Sequence, residues 1–303
     1  MLPRSFQYFA PTTIEETFDL LSQHAGDVKI LAGGMSLIPL MKLRLASPAY
    51  VVDINRVKGL DYIKESGDGK SLLVGSLTRH YSLESSPLVR KRAPLLSEAA
   101  ASIGDPQVRN RGTIGGALAH SDPSGDLGSA ILALRGKVNV TGPSGSRGIP
   151  IDDFLVDTFS TALKDDEVIT EVEVPLRDDT RSGSAYLKLE RKAGDFATAA
   201  VAVQLALQEK GDGDYFTYAG IGLTALGPKN LRASNAEACL AGKRQTKAAV
   251  AAAASAAEKE CSPTDDPLRG SAKYKREMAG VFTRRALELA LSRAQATAKR
   301  DSK

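Results

Sequence analysis

Between residues 104 and 126 the chain places five glycines and two prolines in a stretch of 23 residues: Gly104-Asp105-Pro106-Gln107-Val108-Arg109-Asn110-Arg111-Gly112-Thr113-Ile114-Gly115-Gly116-Ala117-Leu118-Ala119-His120-Ser121-Asp122-Pro123-Ser124-Gly125-Asp126. It then returns to the apolar run Ala130-Ile131-Leu132-Ala133-Leu134. Glycine loses more conformational freedom on folding than any other residue, so this much special backbone is costly and is usually kept for a ligand. A plain surface loop would be more polar and would not hold Ile114, Leu118 and Ala119 inside it.

A second glycine pair lies in Ala32-Gly33-Gly34-Met35-Ser36-Leu37, which follows an expected strand and opens an expected helix. Two glycines let backbone come close to a ligand, the N–H groups of a helix start receive phosphate oxygens, and Ser36 adds a hydroxyl donor. Taken alone, such a pair is more often a tight turn. Together with Gly115-Gly116 it suits a long ligand, because a dinucleotide diphosphate can be held between two glycine loops. A third run, Lys188-Leu189-Glu190-Arg191-Lys192-Ala193-Gly194-Asp195-Phe196-Ala197, reads in isolation as a charged hairpin loop with a solvated face. Phe196 beside Asp195 is its odd feature.

Around these segments the pattern is mixed. Thr13 and Glu16 form a capping box ahead of a helix over about 14–23. A strand at Val28-Lys29-Ile30-Leu31-Ala32, a short helix over 37–45 and a strand at Tyr50-Val51-Val52-Asp53 complete a small α/β unit of 55 residues. Residues 56–177 continue with strands over 71–74 and 168–174, a helix over 95–103, another after Asp126, and a hairpin around Gly142-Pro143-Ser144-Gly145. Pro175 and the polar run over 177–183 mark a boundary. Beyond it, strand-like runs over 185–189, 198–207 and 215–223 precede helices over 247–257 and 273–293, an α+β layout. The basic tail, 294–303, is expected to fray.

The remaining composition excludes several chemistries. Cys239 and Cys261 sit far from any CxxC spacing, whereas an iron–sulfur cluster normally takes four thiolates. His24, His80 and His120 have no metal-ligand spacing. A net charge of +4 with dispersed Lys and Arg argues against nucleic acid. Gly69-Lys70-Ser71 is not a P-loop, because Lys64 stands where that motif needs glycine, and no GxGxxG follows a strand. With no apolar run of roughly 18–20 residues and no apolar signal core after Met1, no transmembrane segment is expected, and the expected location is cytoplasmic.

The segments in their order resemble the flavoprotein, or medium, subunit of the xanthine dehydrogenase and aerobic carbon monoxide dehydrogenase family, the molybdenum hydroxylases. The resemblance runs from Phe6 to about Leu291. It rests on Ala32-Gly33-Gly34-Met35-Ser36-Leu37-Ile38-Pro39, Val52-Asp53-Ile54, the run from Gly104 to Gly116, Arg191-Lys192-Ala193-Gly194-Asp195-Phe196, Tyr274-Lys275-Arg276 and Arg284-Arg285-Ala286-Leu287.

The resemblance implies an α+β chain. Its FAD-binding domain, 1–177, would be of the vanillyl-alcohol-oxidase (PCMH) type, with subdomains over about 1–55 and 56–177. A smaller carbon monoxide dehydrogenase flavoprotein-type domain of sheet plus helices would follow over 178–293. It further implies that Ala32, Gly33, Gly34, Met35, Ser36 and Leu37, with Thr113, Ile114, Gly115, Gly116 and Ala117, hold the FAD diphosphate. Asp126 takes the family's acidic position, and Ile103, with Gly104 beside it, and Ile169 its lipophilic ones. Lys188 and Phe196 would lie by the isoalloxazine and act on its reactivity, with Asp195 fixing their loop. Many relatives have Asn, Asp or Ser where this chain has Ala117, so only backbone contact is expected there. Bulk at Gly34 or Gly116 should harm FAD binding more than loss of the Ser36 hydroxyl. The implied partners are a large molybdopterin subunit and a small [2Fe–2S] subunit in a dimer of heterotrimers; a self-sufficient FAD-dependent oxidoreductase of the same fold is the alternative.

Overall fold

The structure, a computed structural model, describes residues 2–177, 181–211 and 213–301, with side chains as far as residue 296. The first sheet consists of β1 (Gln7–Phe9), β2 (Val28–Leu31) and β3 (Tyr50–Asp53), in the order β1-β3-β2 and parallel throughout. Parallel neighbours need crossovers. The helices Ile14–Gln23 and Leu37–Lys42 lie in the β1–β2 and β2–β3 connections. Thr13 caps the first helix by accepting the Glu16 N–H at 3.2 Å, while Glu16 reaches back to the Thr12 N–H rather than that of Thr13.

The second sheet is antiparallel and joins β4 (Ile63–Glu65), β5 (Ser71–Gly75), β6 (Lys137–Gly142) and β7 (Gly145–Pro150). A small hairpin, β8 (Leu155–Asp157) with β9 (Ser160–Thr161), precedes β10 (Val168–Pro175), which enters the sheet centrally in the order β4-β5-β10-β6-β7. Leu72, Val74, Val138, Val140, Val172 and Val174 turn one face of this sheet into a core shared with the helices Pro94–Ala101 and Asp126–Leu134.

The third sheet runs in sequence order through β11 (Ser182–Leu189), β12 (Ala199–Lys210), β13 (Gly213–Thr224) and β14 (Leu231–Arg232). Its central strand is buried on both faces. Ala200 and Ala202 belong to the core of the second sheet, whereas Val201, Val203 and Leu205 belong to a core formed with the helices Lys247–Glu260 and Ala272–Asp301. Small residues on one face let the helix Asp126–Leu134 come down onto the strands: a Cβ at Gly220 would lie 1.9 Å from the Ala133 carbonyl oxygen, and one at Gly222 2.0 Å from that of Ser129.

The stretch 104–126, to which the sequence reading assigns no secondary structure before Asp126, holds two short helices, Pro106–Arg111 and Ile114–His120. Each begins on a side-chain cap, Asp105 accepting from Val108 N and Thr113 from Gly116 N, which a glycine count does not reveal. The tail does not fray from Ala294: the last helix continues to Asp301, and Ala294 is buried beside Gly183. Residues 178–180 of the expected boundary and 302–303 of the tail lie outside the described residues.

Candidate functional site

The first glycine loop leaves β2 and opens the helix Leu37–Lys42. Gly34 has φ +75°, a left-handed conformation that suits glycine. Ile38 donates to the Gly34 carbonyl and Leu40 to that of Ser36, but among the described residues no carbonyl receives the N–H groups of Gly33, Gly34, Met35 or Ser36. Ser36 stands at the N-cap without using its hydroxyl on the helix. The loop thus offers a row of amide donors and one hydroxyl, while Met35 is exposed.

The second loop is different. Ile114 and Gly115 donate to the carbonyls of Thr78 and Ser76 at 3.1 and 2.9 Å, Gly116 donates to Thr113 Oγ1 at 3.1 Å, and Ala117 to the Thr113 carbonyl at 3.0 Å. Its amides are already engaged, so its contribution is close approach. A Cβ at Gly116 would meet only Thr113 Oγ1 at 2.8 Å and the Ala32 methyl at 3.8 Å. Gly116 is not in the positive-φ region, so bulk there disturbs the Thr113 cap rather than straining the backbone. At Ala117 the N–H donates to the Thr113 carbonyl and the carbonyl receives Ser121 N.

The loops interlock through Gly33. A Cβ there would lie 2.4 Å from the Arg111 carbonyl oxygen and 2.8 Å from Gly112 Cα. The third segment docks on the same stretch, since a Cβ at Gly194 would stand 2.7 Å from the Gly104 carbonyl oxygen. Gly104 itself has φ +47°, and the carbonyls of Ile103 and Gly104 receive Arg109 Nη1. All three glycine segments therefore converge on residues 102–116.

Lys188 and Asp126 meet directly. Lys188 Nζ donates to Asp126 Oδ2 at 3.0 Å and to the Ser102 carbonyl at 2.9 Å, and Tyr186 Oη donates to Asp126 Oδ1 at 2.6 Å. Both charged side chains are about 6% exposed. Burial pushes the Asp126 carboxyl up to about 6, against the pull of Lys188 and Tyr186. The cation at Lys188 is therefore not a free charge: it forms a buried ion pair with Asp126 and lies 3.6 Å from the partly exposed carboxylate of Glu190. Phe196 is 53% exposed. Its loop is held by Asp195, which accepts from the Phe196 N–H at 2.8 Å and pairs with Arg191 and Arg269. Ile169 sits in the core of β10; the neighbouring Thr170 carbonyl receives Ser76 N, whose own carbonyl receives Gly115 N.

Several participating residues carry no sequence signal. Asn55, Arg79 and His80 all touch the glycine loops, and Arg269 lies with its guanidinium 5.9 Å from the Phe196 ring centre. Their partners are distant in sequence, which periodicity and motif spacing do not register.

A loop of unpaired amide donors locked against a second glycine loop has the donor chemistry of a site for an anionic phosphate ligand. The comparisons complete the assignment. Residues 4–177 match the family model described as FAD binding domain in molybdopterin dehydrogenase, and residues 184–290 match the CO dehydrogenase flavoprotein C-terminal domain. The chain belongs to the FAD-binding medium subunits of the molybdenum hydroxylases, oxidoreductase complexes of several subunits. It is similar to the carbon monoxide dehydrogenase medium chain of Hydrogenophaga pseudoflava, 44% identical over 97% of this chain and 99% of that one. To the glyceraldehyde dehydrogenase medium chain of Sulfolobus acidocaldarius it is 36% identical over 95% and 99%. A solved structure of the H. pseudoflava enzyme, lacking the Mo-pyranopterin moiety of its molybdenum cofactor, superposes with a TM-score of 0.91 at 46% identity, covering 97% of this chain and 99% of that one.

FAD is the cofactor of this family, and the residues fit it: open donors at Gly33, Gly34, Met35 and Ser36 suit an anionic diphosphate, and Gly116 leaves a side-chain-free approach opposite them. Among the described residues no helix is long and apolar enough to cross a membrane.

One pH prediction arises at the second loop. Burial, reinforced by the charges of Arg79 and Arg109, pulls the His80 imidazole down to about 4. The backbone N–H of His80 donates to the Gly112 carbonyl at 3.0 Å, and the ring fills the space where a Gly112 side chain would stand. A base depressed by folding stabilises above its unfolded pKa near 6.5 and loses that contribution as pH falls through 4, at about 1.4 kcal/mol per pH unit in between. Asp126 works in the opposite sense between its ordinary 3.8 and about 6, so the informative quantity is a difference. Chemical denaturation of the parent protein and His80→Gln from pH 7 to 4.5 should give the variant the flatter profile; parallel profiles would reject the assignment.

Proposed function

We propose that this chain is the FAD-carrying electron-transfer subunit of a molybdenum hydroxylase complex. In this reading a large partner holds the molybdenum–pterin site, a small partner holds two [2Fe–2S] centres, and the assembly is a cytoplasmic dimer of heterotrimers. When bound, FAD takes electrons from the iron–sulfur centres and hands them to an external acceptor. The observation that carries the reading is that a medium chain of such a complex aligns over 99% of its own length with 97% of this one, through both the FAD-binding region and the region after it. The thiols support it: Cys239 and Cys261 are both free, and burial pushes Cys261 up to about 12, far from the thiolate that a cluster needs.

The chain's own residues have defined parts under this proposal. Gly33, Gly34, Met35 and Ser36 donate to the diphosphate, and Thr113 to Gly116 close on it from the other side. Ile103, Gly104 and Ile169 line the approach, and Leu37 and Ala117 give apolar contact. Lys188, balanced by Asp126, and Phe196, held by Asp195, stand toward the isoalloxazine; Phe196 limits access of the acceptor to one face. The division into 1–177 and 178–293 belongs to the same proposal. Substrate choice is assigned to the large partner, since medium chains of complexes named for carbon monoxide and for glyceraldehyde both resemble this chain along its length.

The test is purification from the native host through a tag on this chain. The expected result is co-purification of two further chains with molybdenum and iron, release of FAD rather than FMN on denaturation, and no stoichiometric iron in this chain once separated. A chain that purifies alone with FAD and oxidises a small substrate unaided would instead establish the self-sufficient oxidoreductase.

A further inference from the structure

The two glycine loops are joined by one hydrogen-bonded strut made of two side chains outside either loop. Asn55 Nδ2 donates to the Ala32 carbonyl at 2.7 Å, and Arg79 Nη2 donates to Asn55 Oδ1 at 2.6 Å. The other guanidinium nitrogen, Arg79 Nη1, donates to the Arg111 carbonyl. Asn55 is itself oriented by Asp53 Oδ1, which accepts both its N–H and its Nδ2, at 2.9 and 2.5 Å. The path Ala32–Asn55–Arg79–Arg111 thus begins at the carbonyl just before Gly33 and ends at the carbonyl on which Gly33 packs.

We propose that Arg79 and Asn55 are positioning residues that set the separation of the two glycine loops, and thereby the width of the slot for the FAD diphosphate. This rests on the proposed FAD site. Arg79 suits the task because its planar fork serves two acceptors at once, whereas a lysine would offer a single flexible ammonium. Asn55 suits it because one amide both donates and accepts, so it relays between a carbonyl and a cation. Neither side chain needs to touch the cofactor. Loss of the strut changes how far the first loop's donors stand from the side-chain-free face of Gly116, while the flavin end of the site, held by Gly194 on Gly104 and by the Lys188–Asp126 pair, is unaffected.

The experiment uses deflavinated full-length chain, with the parent, Arg79→Gln, Arg79→Lys and Asn55→Ala titrated with FAD. Each loaded protein is then examined by phosphorus-31 NMR of the bound diphosphate and by redox titration. Arg79→Gln and Asn55→Ala should each weaken FAD about tenfold or more, as expected for losing a hydrogen bond to a charged group. Both should move the phosphorus resonances, with the flavin potential unchanged, and Arg79→Lys should recover part of the affinity. Because distinct variants break the same strut, one that fails to fold leaves the other as the test. A parent protein that takes up no FAD would defeat the functional reading itself. A parent that binds FAD, with variants whose affinity and phosphorus spectra match it, would overturn only the strut. A phosphorus shift accompanied by an equal change in potential would overturn it as well, since that marks a general disturbance of the site.

Discussion

Gly33→Ala is expected to come off purification almost without FAD. The added methyl would stand 2.4 Å from the Arg111 carbonyl oxygen and 2.8 Å from Gly112 Cα, and both obstacles are backbone, which cannot swing aside as a side-chain end can. Relieving such an overlap by backbone movement costs about 1–3 kcal/mol. The movement separates the two loops at the place where, as proposed, the diphosphate touches both. Gly34→Ala meets the flexible Ile38 side chain at 2.7 Å but strains a left-handed residue, and Gly116→Val breaks the Thr113 cap. Ser36→Ala loses one hydrogen bond, worth roughly 0.5–1.5 kcal/mol, or up to about 3 against phosphate charge. The flavin-to-protein ratio should therefore be lowest for Gly33→Ala and highest for Ser36→Ala. Absorbance spectra and titration of the four variants check this; full FAD occupancy in Gly33→Ala would show that the loops do not enclose the diphosphate.

The second large effect is expected at Lys188. Removing one member of a buried ion pair leaves the other uncompensated, at a cost of about 3–5 kcal/mol. In Lys188→Ala the Asp126 carboxylate keeps Tyr186 but loses its counter-ion. Asp126 is already raised to about 6 by burial, so it binds a proton more readily folded than unfolded. Its favourable contribution is complete below about 3.8 and lost as pH rises through 6. Without Lys188 the carboxyl rises further, and the variant's deficit should shrink as pH is lowered from 7.5 to 5.5. Urea denaturation at both values measures this, and Asp126→Asn combined with Lys188→Met should regain much of the loss. With the flavin beside this pair, as proposed, Lys188→Ala also exposes the ring to an unbalanced negative charge and lowers its potential. A stability change below about 1 kcal/mol at both pH values would mean the pair is not the buried unit described.

The glycine loops were legible in the sequence because each combines residues of restricted use, a glycine pair with Ser36 or Thr113, at the opening of a helix. The principal strands and the long helices were legible from alternating or periodic apolar residues. β1 was not, since Gln7–Phe9 is a three-residue strand whose partner, β3, comes some forty residues later. The pairing of Lys188 with Asp126 was equally hidden: both residues could be singled out by resemblance, but only folding brings side chains 62 positions apart together and gives a lone cation a buried counter-ion. Asn55 and Arg79 were invisible for the same reason, being ordinary polar residues until the backbone carbonyls they serve are in place.

The helix Asp126–Leu134 has all nine of its residues buried, and it rests on Gly220 and Gly222 with no side chain between backbone and backbone. Such a contact leaves nothing to slide or compress, so the two large sheets behave mechanically as one block. Neither of them can rotate against the other about this helix without driving backbone into backbone.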